Sequence, residues 1–211
     1  MDDFNIKIEY KHVPRFDSGS DESIDYLERE GYVIIKNALT ANEASKTLDL
    51  LWDYLENLGT GIDRANPMTW SDDKWPTCAH GGIIPSYGIG HSEAQWFVRG
   101  VPNVKKAFAK VWGTNDLLTS FDGVSLWRPW NIDPSWKTQS GQAWFHIDQH
   151  PISKPGKQCI QGLINLLPTS KEIGGNVVIP KSHNFFKDLP EEYKERVERL
   201  PLDLSLIHIS E

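Results

Sequence analysis

The order of two hydrophobic patterns along the chain constrains its fold most strongly. Apolar residues recur at helical spacing before residue 113, whereas short β-like segments separated by turn residues follow it. Helices followed by strands favour an antiparallel β core with helices packed on its outside. We therefore expect a mainly β protein with flanking α-helices, and a length of 211 residues fits one domain.

Helix start and stop signals are clearest in the first half of the chain. The predicted helices are residues 21–30, 40–59, 103–112 and 188–200. Thr40 and Glu43 fit a capping box, in which a hydroxyl and a carboxylate each satisfy a free backbone amide. Gly31, Gly59 and Gly113 follow helical stripes, and each stands where a left-handed residue commonly ends a helix.

Strand signals are short and lie mostly in the second half. The predicted strands are residues 32–36, 117–121, 124–127, 143–148, 158–166 and 176–179. Residues 59–91 have little periodicity but many Gly, Pro and Trp residues. Such a long irregular stretch in a compact domain is either a functional lid or an element that the pattern does not reveal.

Composition excludes several classes of protein. The chain carries a net charge of −7 with no Lys/Arg run, which argues against nucleic-acid binding. No apolar run approaches the ~18 residues of a membrane span, and the acidic start lacks the pattern of a signal peptide. We therefore expect a soluble, intracellular, cytoplasmic protein. Cys78 and Cys159 are too few for a disulfide framework or a cysteine-based zinc site, and we expect both to be small buried hydrophobes.

A His-x-Asp pair, His146 and Asp148, lies in one of the predicted strands. Side chains two residues apart on a strand share a face, with Cα atoms about 6.6 Å apart, so both can reach one metal ion. Trp144 lies on the same face, whereas His150 is roughly 13 Å from His146 along the strand and is assigned no ligand role. Two such ligands are the local part of a 2-His-1-carboxylate site. A three-residue pattern is weak by itself, and an ordinary His–carboxylate pair or two solvated side chains would also fit.

Further segments extend the pattern beyond this triplet. Gly174-Gly-Asn-Val-Val-Ile-Pro-Lys-Ser-His183 combines a glycine turn, an apolar strand and a Pro-containing exit. With His146-Ile-Asp148 it resembles the phytanoyl-CoA dioxygenase family of Fe(II)/2-oxoglutarate oxygenases, although Lys181 stands where the family usually has glycine. The earlier segments Gly31-Tyr-Val-Ile-Ile, Leu51-Trp-Asp-Tyr-Leu55, Gly61-Ile-Asp-Arg64 and Gly90-His-Ser-Glu93 are also similar. The resemblance covers residues 24–200.

This resemblance implies a double-stranded β-helix, a jelly-roll or cupin-like fold, that binds Fe(II) through His146, Asp148 and a distal His. It implies a monomeric dioxygenase that uses 2-oxoglutarate and O₂ to hydroxylate an unactivated C–H bond of a small-molecule or lipid-like substrate. Gln161 is the candidate contact to 2-oxoglutarate, and Arg128, Trp127 and Trp144 are the candidate substrate contacts. An ion pair would also explain Arg128, and core packing or loop anchoring would also explain each Trp. For His183 a capping or turn role is expected instead of metal binding.

Two other functions fit parts of the pattern. A non-catalytic jelly-roll binding module could retain the His-x-Asp pair as a relic. A halogenase would have Gly or Ala at position 148, so Asp148 argues against that reaction.

The last residues of the sequence indicate whether the predicted dioxygenase domain is complete. The resemblance places the distal His ligand, and an Arg that binds 2-oxoglutarate, beyond residue 211. Residues 204–211 read Leu-Ser-Leu-Ile-His-Ile-Ser-Glu, like a translated sequencing adapter. We therefore expect an irregular segment over 1–20, a dioxygenase domain over 21–203 that lacks its last core strands, and a non-native tail over 204–211. Such a fragment is expected to be inactive.

Overall fold

The computed structural model describes residues 8–9, 12–79, 81–137, 147–149, 154–170, 173, 175–188 and 207–209. The helices in these ranges are α1 (Asp21–Glu30), α2 (Ala41–Glu56), α3 (Glu93–Gly100) and α4 (Pro102–Trp112). The strands are β1 (Ile8–Glu9), β2 (Arg15–Phe16), β3 (Ile34–Ile35), β4 (Ile83–Ile84), β5 (Val124–Ser125), β6 (Val177–Val178) and β7 (Ile207–Ile209). Short 3₁₀ segments cover Pro67–Thr69, Ile89–His91, Pro134–Trp136 and Ser182–Asp188.

The chain divides into two compact units. The first comprises Met1–Lys36 and Gly141–Glu211, and the second comprises Asn37–Ser140. The first unit contains a three-stranded sheet in the order β1-β7-β6, in which β7 is parallel to β1 and antiparallel to β6. It also contains the parallel pair β2-β3. Backbone pairing therefore includes Ile207–Ile209, which lies in the stretch that sequence analysis predicts to be a non-native tail.

Helix α1 has the predicted bounds, and its caps explain them. The Ser20 hydroxyl accepts a hydrogen bond from the Ser23 amide at 3.2 Å, which satisfies one of the free amides of the first turn. Gly31 has a φ of 81° and donates its amide to the Leu27 carbonyl at 2.8 Å. The prediction of a left-handed glycine at this helix end is confirmed.

Helix α2 begins as predicted. Thr40 accepts a hydrogen bond from the Glu43 amide at 3.2 Å, and the Glu43 carboxylate accepts one from the Thr40 amide at 2.8 Å, which confirms the capping box. The helix ends at Glu56, three residues before Gly59, and its cap residue Asn57 is right-handed, with its amide bonded to the Asp53 carbonyl.

The second unit has a hydrophobic core under α2. Buried side chains from the helix, the following irregular stretch and β4 form it: Leu55, Ile62, Trp75, Ile84 and Ile89. The rings of Trp52 and Trp70 pack 5.0 Å apart beside this cluster. Residues 59–91 thus supply much of the core, and their only regular elements within the described residues are a strand and two 3₁₀ segments.

Helix α3 is absent from the sequence predictions, whereas α4 matches its prediction closely. Ser92 caps α3 by accepting the Gln95 amide at 3.3 Å, so a Ser-x-x-Gln signal marks its start. Helix α4 begins with Pro102 and ends at Gly113, which has a φ of 66°. No helix among the described residues is long and apolar enough to span a membrane.

The predicted strands match only in part. Strands β3, β5 and β6 lie inside predicted segments, and β5 pairs antiparallel with β4. The strand prediction for residues 117–121 is wrong, because this segment carries no ladder and Leu118 is wholly exposed. Residues 158–166 also lie outside any strand of the described chain. Their predicted neighbour, residues 143–148, and the predicted helix 188–200 fall largely outside the described residues.

Candidate functional site

The predicted metal ligand Asp148 lies in the first unit and is exposed. Its Oδ2 atom accepts a hydrogen bond from Nε2 of Gln161 at 2.5 Å. Two residues that the sequence assigned to one site are therefore in direct contact. The predicted ligand His146 and the predicted substrate contact Trp144 lie outside the described residues.

An amide-to-carboxylate bond of this kind fixes the orientation of the acid. A hydrogen bond to an ionised carboxylate is shorter and stronger than one between neutral groups. Outer hydrogen bonds to a ligating carboxylate orient it toward a metal ion. Gln161 therefore positions the Asp148 carboxylate, a contact that the sequence does not reveal.

The Gln149 side chain, next to Asp148, bonds to the backbone of residues 154–158, which precede Gln161 in the chain. Its Nε2 atom donates to the Lys154 and Gly156 carbonyls, each at 2.5 Å, and its Oε1 atom accepts the Gln158 amide at 3.4 Å. Gly156 has a φ of 74°, which favours glycine at this turn. Gln149 was not among the predicted site residues, and nothing in its spacing distinguishes it from other glutamines.

Within the ranges that the structure describes, no group of three or more His, Cys, Asp or Glu side chains is arranged to hold a metal ion. Of the two predicted metal ligands, Asp148 lies within those ranges, as an exposed carboxylate that accepts a hydrogen bond from an amide. The donor set that the sequence predicts also needs His146, which is outside those ranges.

His183 caps helix α1, as the sequence analysis expected. Its Nε2 atom lies 3.0 Å from the Glu28 carbonyl oxygen, one of the free acceptors of the last helical turn. The Lys181 amide donates to the Glu30 carbonyl at 2.7 Å, beside it. Lys157 also contacts this helix, with Nζ 2.8 Å from the Glu28 carboxylate. These bonds join α1 to two later segments of the first unit.

Arg128, a predicted substrate contact, lies in the second unit, where its guanidinium is engaged within the protein. Its Nη1 atom donates to the Trp70 carbonyl and its Nη2 atom to the Asp72 carboxylate, each at 2.6 Å. The side chain is only 9% exposed, and its Cζ atom lies 4.5 Å from the ring centre of Trp136 and 5.5 Å from that of Trp75. Arg128 therefore ties a loop to the aromatic core.

Trp127, the other predicted substrate contact in this unit, is 47% exposed. Its ring lies against the backbone of Gly82, where an added Cβ would come within 2.2 Å of the indole. A glycine is thus required opposite this ring. Substrate binding by Trp127 and Arg128 stays a prediction.

The two cysteines differ from the expectation that both are buried. Cys159 is exposed, whereas Cys78 is half-buried and donates from Sγ to the Pro76 carbonyl at 3.1 Å. Burial raises the pKa of the Cys78 thiol, while the positive charge of Arg128 acts in the opposite direction. Cys78 is therefore a protonated thiol at neutral pH.

Comparisons with known proteins give two curated relatives. The chain is 33% identical over 189 residues to Ava biosynthesis cluster protein O of Aspergillus versicolor. The aligned region covers 90% of this chain and 58% of the relative. It is 26% identical over 200 residues to a Dictyostelium discoideum protein named "Putative phytanoyl-CoA dioxygenase", covering 78% of this chain and 56% of the relative. The chain thus spans a little over half the length of each. No family model matches it, and no solved structure matches it.

Proposed function

We propose that the chain is part of an Fe(II)/2-oxoglutarate-dependent dioxygenase of the phytanoyl-CoA dioxygenase type, built on a double-stranded β-helix. The observation that carries the proposal is the hydrogen bond between Gln161 and Asp148, because it unites two predicted site residues around one carboxylate. The printed name of the Dictyostelium relative supports the same family. The substrate under this proposal is a small or lipid-like molecule with an unactivated C–H bond.

Under this proposal Asp148 and His146 are two of the protein ligands of the iron. A ferrous ion held by these residues would supply, with a keto acid and O₂, the oxidising chemistry. The protein's own contribution is ligand geometry. Gln161 supplies part of it, since its amide holds one carboxylate oxygen of Asp148 at 2.5 Å.

The remaining parts of the site are assigned to the longer protein. Because the chain spans a little over half of each relative, a distal His and an Arg for 2-oxoglutarate have room in the rest of such a protein. An arginine suits that role because its planar guanidinium matches a carboxylate through two parallel hydrogen bonds. We expect the 211-residue chain alone to bind iron weakly and to give little or no turnover.

The proposal is tested in the full-length parent protein, the longer protein of which this chain is proposed to be a part. The test replaces one carboxylate oxygen of Asp148 with an amide nitrogen. Asp148→Asn keeps the shape of the side chain but removes the charge that ligates the metal. The matched control is Asp25→Asn, which neutralises an exposed carboxylate on α1 in the same unit. Succinate release from 2-oxoglutarate with Fe(II) and O₂ should persist in Asp25→Asn and fall to background in Asp148→Asn, with both variants folded by circular dichroism.

Three results would each contradict a part of the proposal. Undiminished succinate release by Asp148→Asn would exclude Asp148 as a ligand. A parent protein that binds neither Fe(II) nor 2-oxoglutarate would instead favour a non-catalytic jelly-roll binding module. Stoichiometric succinate release from the 211-residue chain would overturn the assignment of the missing site residues to the longer protein.

A further inference from the structure

The contact between Asp148 and Gln161 depends on a loop, because twelve residues separate them in the sequence. An open loop of that length leaves many relative positions for its two ends, and closing it costs entropy. A side chain that fixes the loop near both ends reduces this freedom before any ligand binds. Such preorganisation matters at a metal site, where ligands must be held within a few tenths of an ångström.

Gln149 makes the contacts that such a side chain needs. It directly follows Asp148, and its amide bonds to three backbone groups of the loop, those of Lys154, Gly156 and Gln158. The last of these lies three residues before Gln161. The side chain therefore links the two ends of the loop as well as its turn.

The chemistry of Gln149 suits this task closely. Both of its amide protons are accepted by carbonyls and its oxygen accepts an amide, so donors and acceptor are all used. Gln158 adds one more bond, from Nε2 to the Pro155 carbonyl at 2.8 Å, but this bond stays within the turn. Replacing the Gln149 amide leaves two loop carbonyls without their donor.

We infer that Gln149 is a positioning residue for the Asp148 carboxylate, acting by binding the backbone of residues 154–158 so that Gln161 reaches Oδ2. The inference rests on the proposed function, since it assigns Gln149 to the support of the proposed metal ligand. It adds a residue to that site and a cause for the Gln161 contact.

The test uses two variants and one control in the full-length parent protein. Gln149→Met keeps the length of the side chain but removes all three bonds. Gln149→Glu keeps an acceptor for the Gln158 amide but places a carboxylate against two carbonyls. Gln158→Ala removes a side-chain bond from the same loop and leaves the three Gln149 bonds intact, so it controls for general loosening of the turn. A dispersed ¹⁵N–¹H spectrum establishes that each variant is folded.

The first readout is the Gln161 side-chain amide signal in that spectrum, recorded without metal and assigned with Gln161→Ala. It should be shifted and protected from exchange in the unsubstituted chain and in Gln158→Ala, and should move to the free-amide position in both Gln149 variants. The second readout is broadening of signals near Asp148 by Mn(II). The apparent dissociation constant should rise about tenfold in the Gln149 variants, the lower end of the effect of outer contacts at metal sites.

The outcomes separate the inference from the function on which it rests. An unmoved Gln161 signal in both Gln149 variants, or an equal change in Gln158→Ala, would overturn the role of Gln149 while leaving the metal site standing. Absence of Mn(II) broadening near Asp148 in the unsubstituted full-length protein would overturn the proposed metal site, and with it the role of Gln149 there, even if the Gln161 signal moves.

Discussion

The imidazole of His183 lies directly against the backbone of Gly31. A Cβ atom built on Gly31 would come within 2.3 Å of Nδ1 of His183, closer than real side-chain contacts allow. The same imidazole reaches the Glu28 carbonyl through its other nitrogen. Glycine at position 31 therefore allows both the left-handed backbone at the end of α1 and the close packing of the His183 ring against it.

Gly31→Ala should destabilise the protein more than an ordinary left-handed glycine replacement. The φ of 81° makes any side chain unfavourable, and the contact with His183 adds a steric cost. Gly59→Ala is the matched control, since Gly59 has a φ of 72° and nothing within 4 Å of its added Cβ. Chemical denaturation should give a loss of about 1–2 kcal/mol for the control and clearly more for Gly31→Ala.

A double variant identifies the source of the extra loss. In a His183→Ala background the ring is gone, so Gly31→Ala should cost about as much as Gly59→Ala, 1–2 kcal/mol. His183→Ala alone should cost about 1 kcal/mol through the lost cap of the Glu28 carbonyl. Additive effects of the two substitutions would argue against a contact between these residues.

The capping box of α2 is expected to stabilise the folded protein. Thr40→Ala removes the acceptor of the Glu43 amide and should lower the free energy of unfolding by about 1 kcal/mol. Ser45→Ala, an exposed position inside the same helix, serves as control and should be neutral or slightly stabilising. Equal effects of both substitutions would show that the cap does not stabilise this helix.

Glu43 gives the same cap a pH dependence. Hydrogen bonds from the Thr40 amide and hydroxyl lower the pKa of Glu43 below its ordinary value of 4.5. Because the folded pKa is the lower one, the stabilisation is fully present above pH 4.5 and is lost as the pH falls through the folded value. Glu43→Gln should therefore lower stability above pH 4.5 and have little effect in stronger acid, as measured by denaturation over a pH series. A difference that stays constant with pH would contradict this.

The elements that could be predicted from the sequence are those with local causes. Helices α1, α2 and α4 have caps and apolar stripes within their own residues, and such signals need no tertiary information. Helix α3 was missed because it is short, although Ser92 and Gln95 mark its start. The strand prediction for 117–121 was wrong because it relied on apolar residues alone, and Leu118 is exposed instead of packed against another element.

Site contacts are harder to predict because they depend on loop geometry. The sequence predicts Asp148 and Gln161 as site residues, but it does not reveal their hydrogen bond, which joins residues thirteen positions apart. The bonds of Gln149 to Lys154 and Gly156 likewise have no signal in the sequence. For Arg128, the Asp72 partner is fifty-six residues away in sequence, a separation at which no local pattern signals an ion pair.

Arg128 provides a test of the aromatic core of the second unit. Arg128→Lys keeps the charge but cannot donate simultaneously to the Trp70 carbonyl and Asp72 in the same plane. We expect a loss of about 2–3 kcal/mol, since hydrogen bonds of a buried charged group are lost. Arg29→Lys, at an arginine that is 59% exposed, should change stability by less than about 0.5 kcal/mol. Similar melting temperatures for the two variants would rule out a structural role for the Arg128 guanidinium.

The two cysteines predict a difference in thiol reactivity. Cys159 is exposed, whereas the Cys78 thiol is half-buried and burial raises its pKa above the ordinary 9.0. The thiolate is the reactive form, so Cys78 has less of it at pH 8 and is also less accessible. With Ellman's reagent, Cys78→Ser should keep the fast phase from Cys159, and Cys159→Ser should show only slow labelling that accelerates as the pH rises. Both thiols should react alike in denaturant, which controls for intrinsic reactivity. Fast labelling of the folded Cys159→Ser variant at pH 8 would contradict the burial of Cys78, because only an open thiol reacts at that rate.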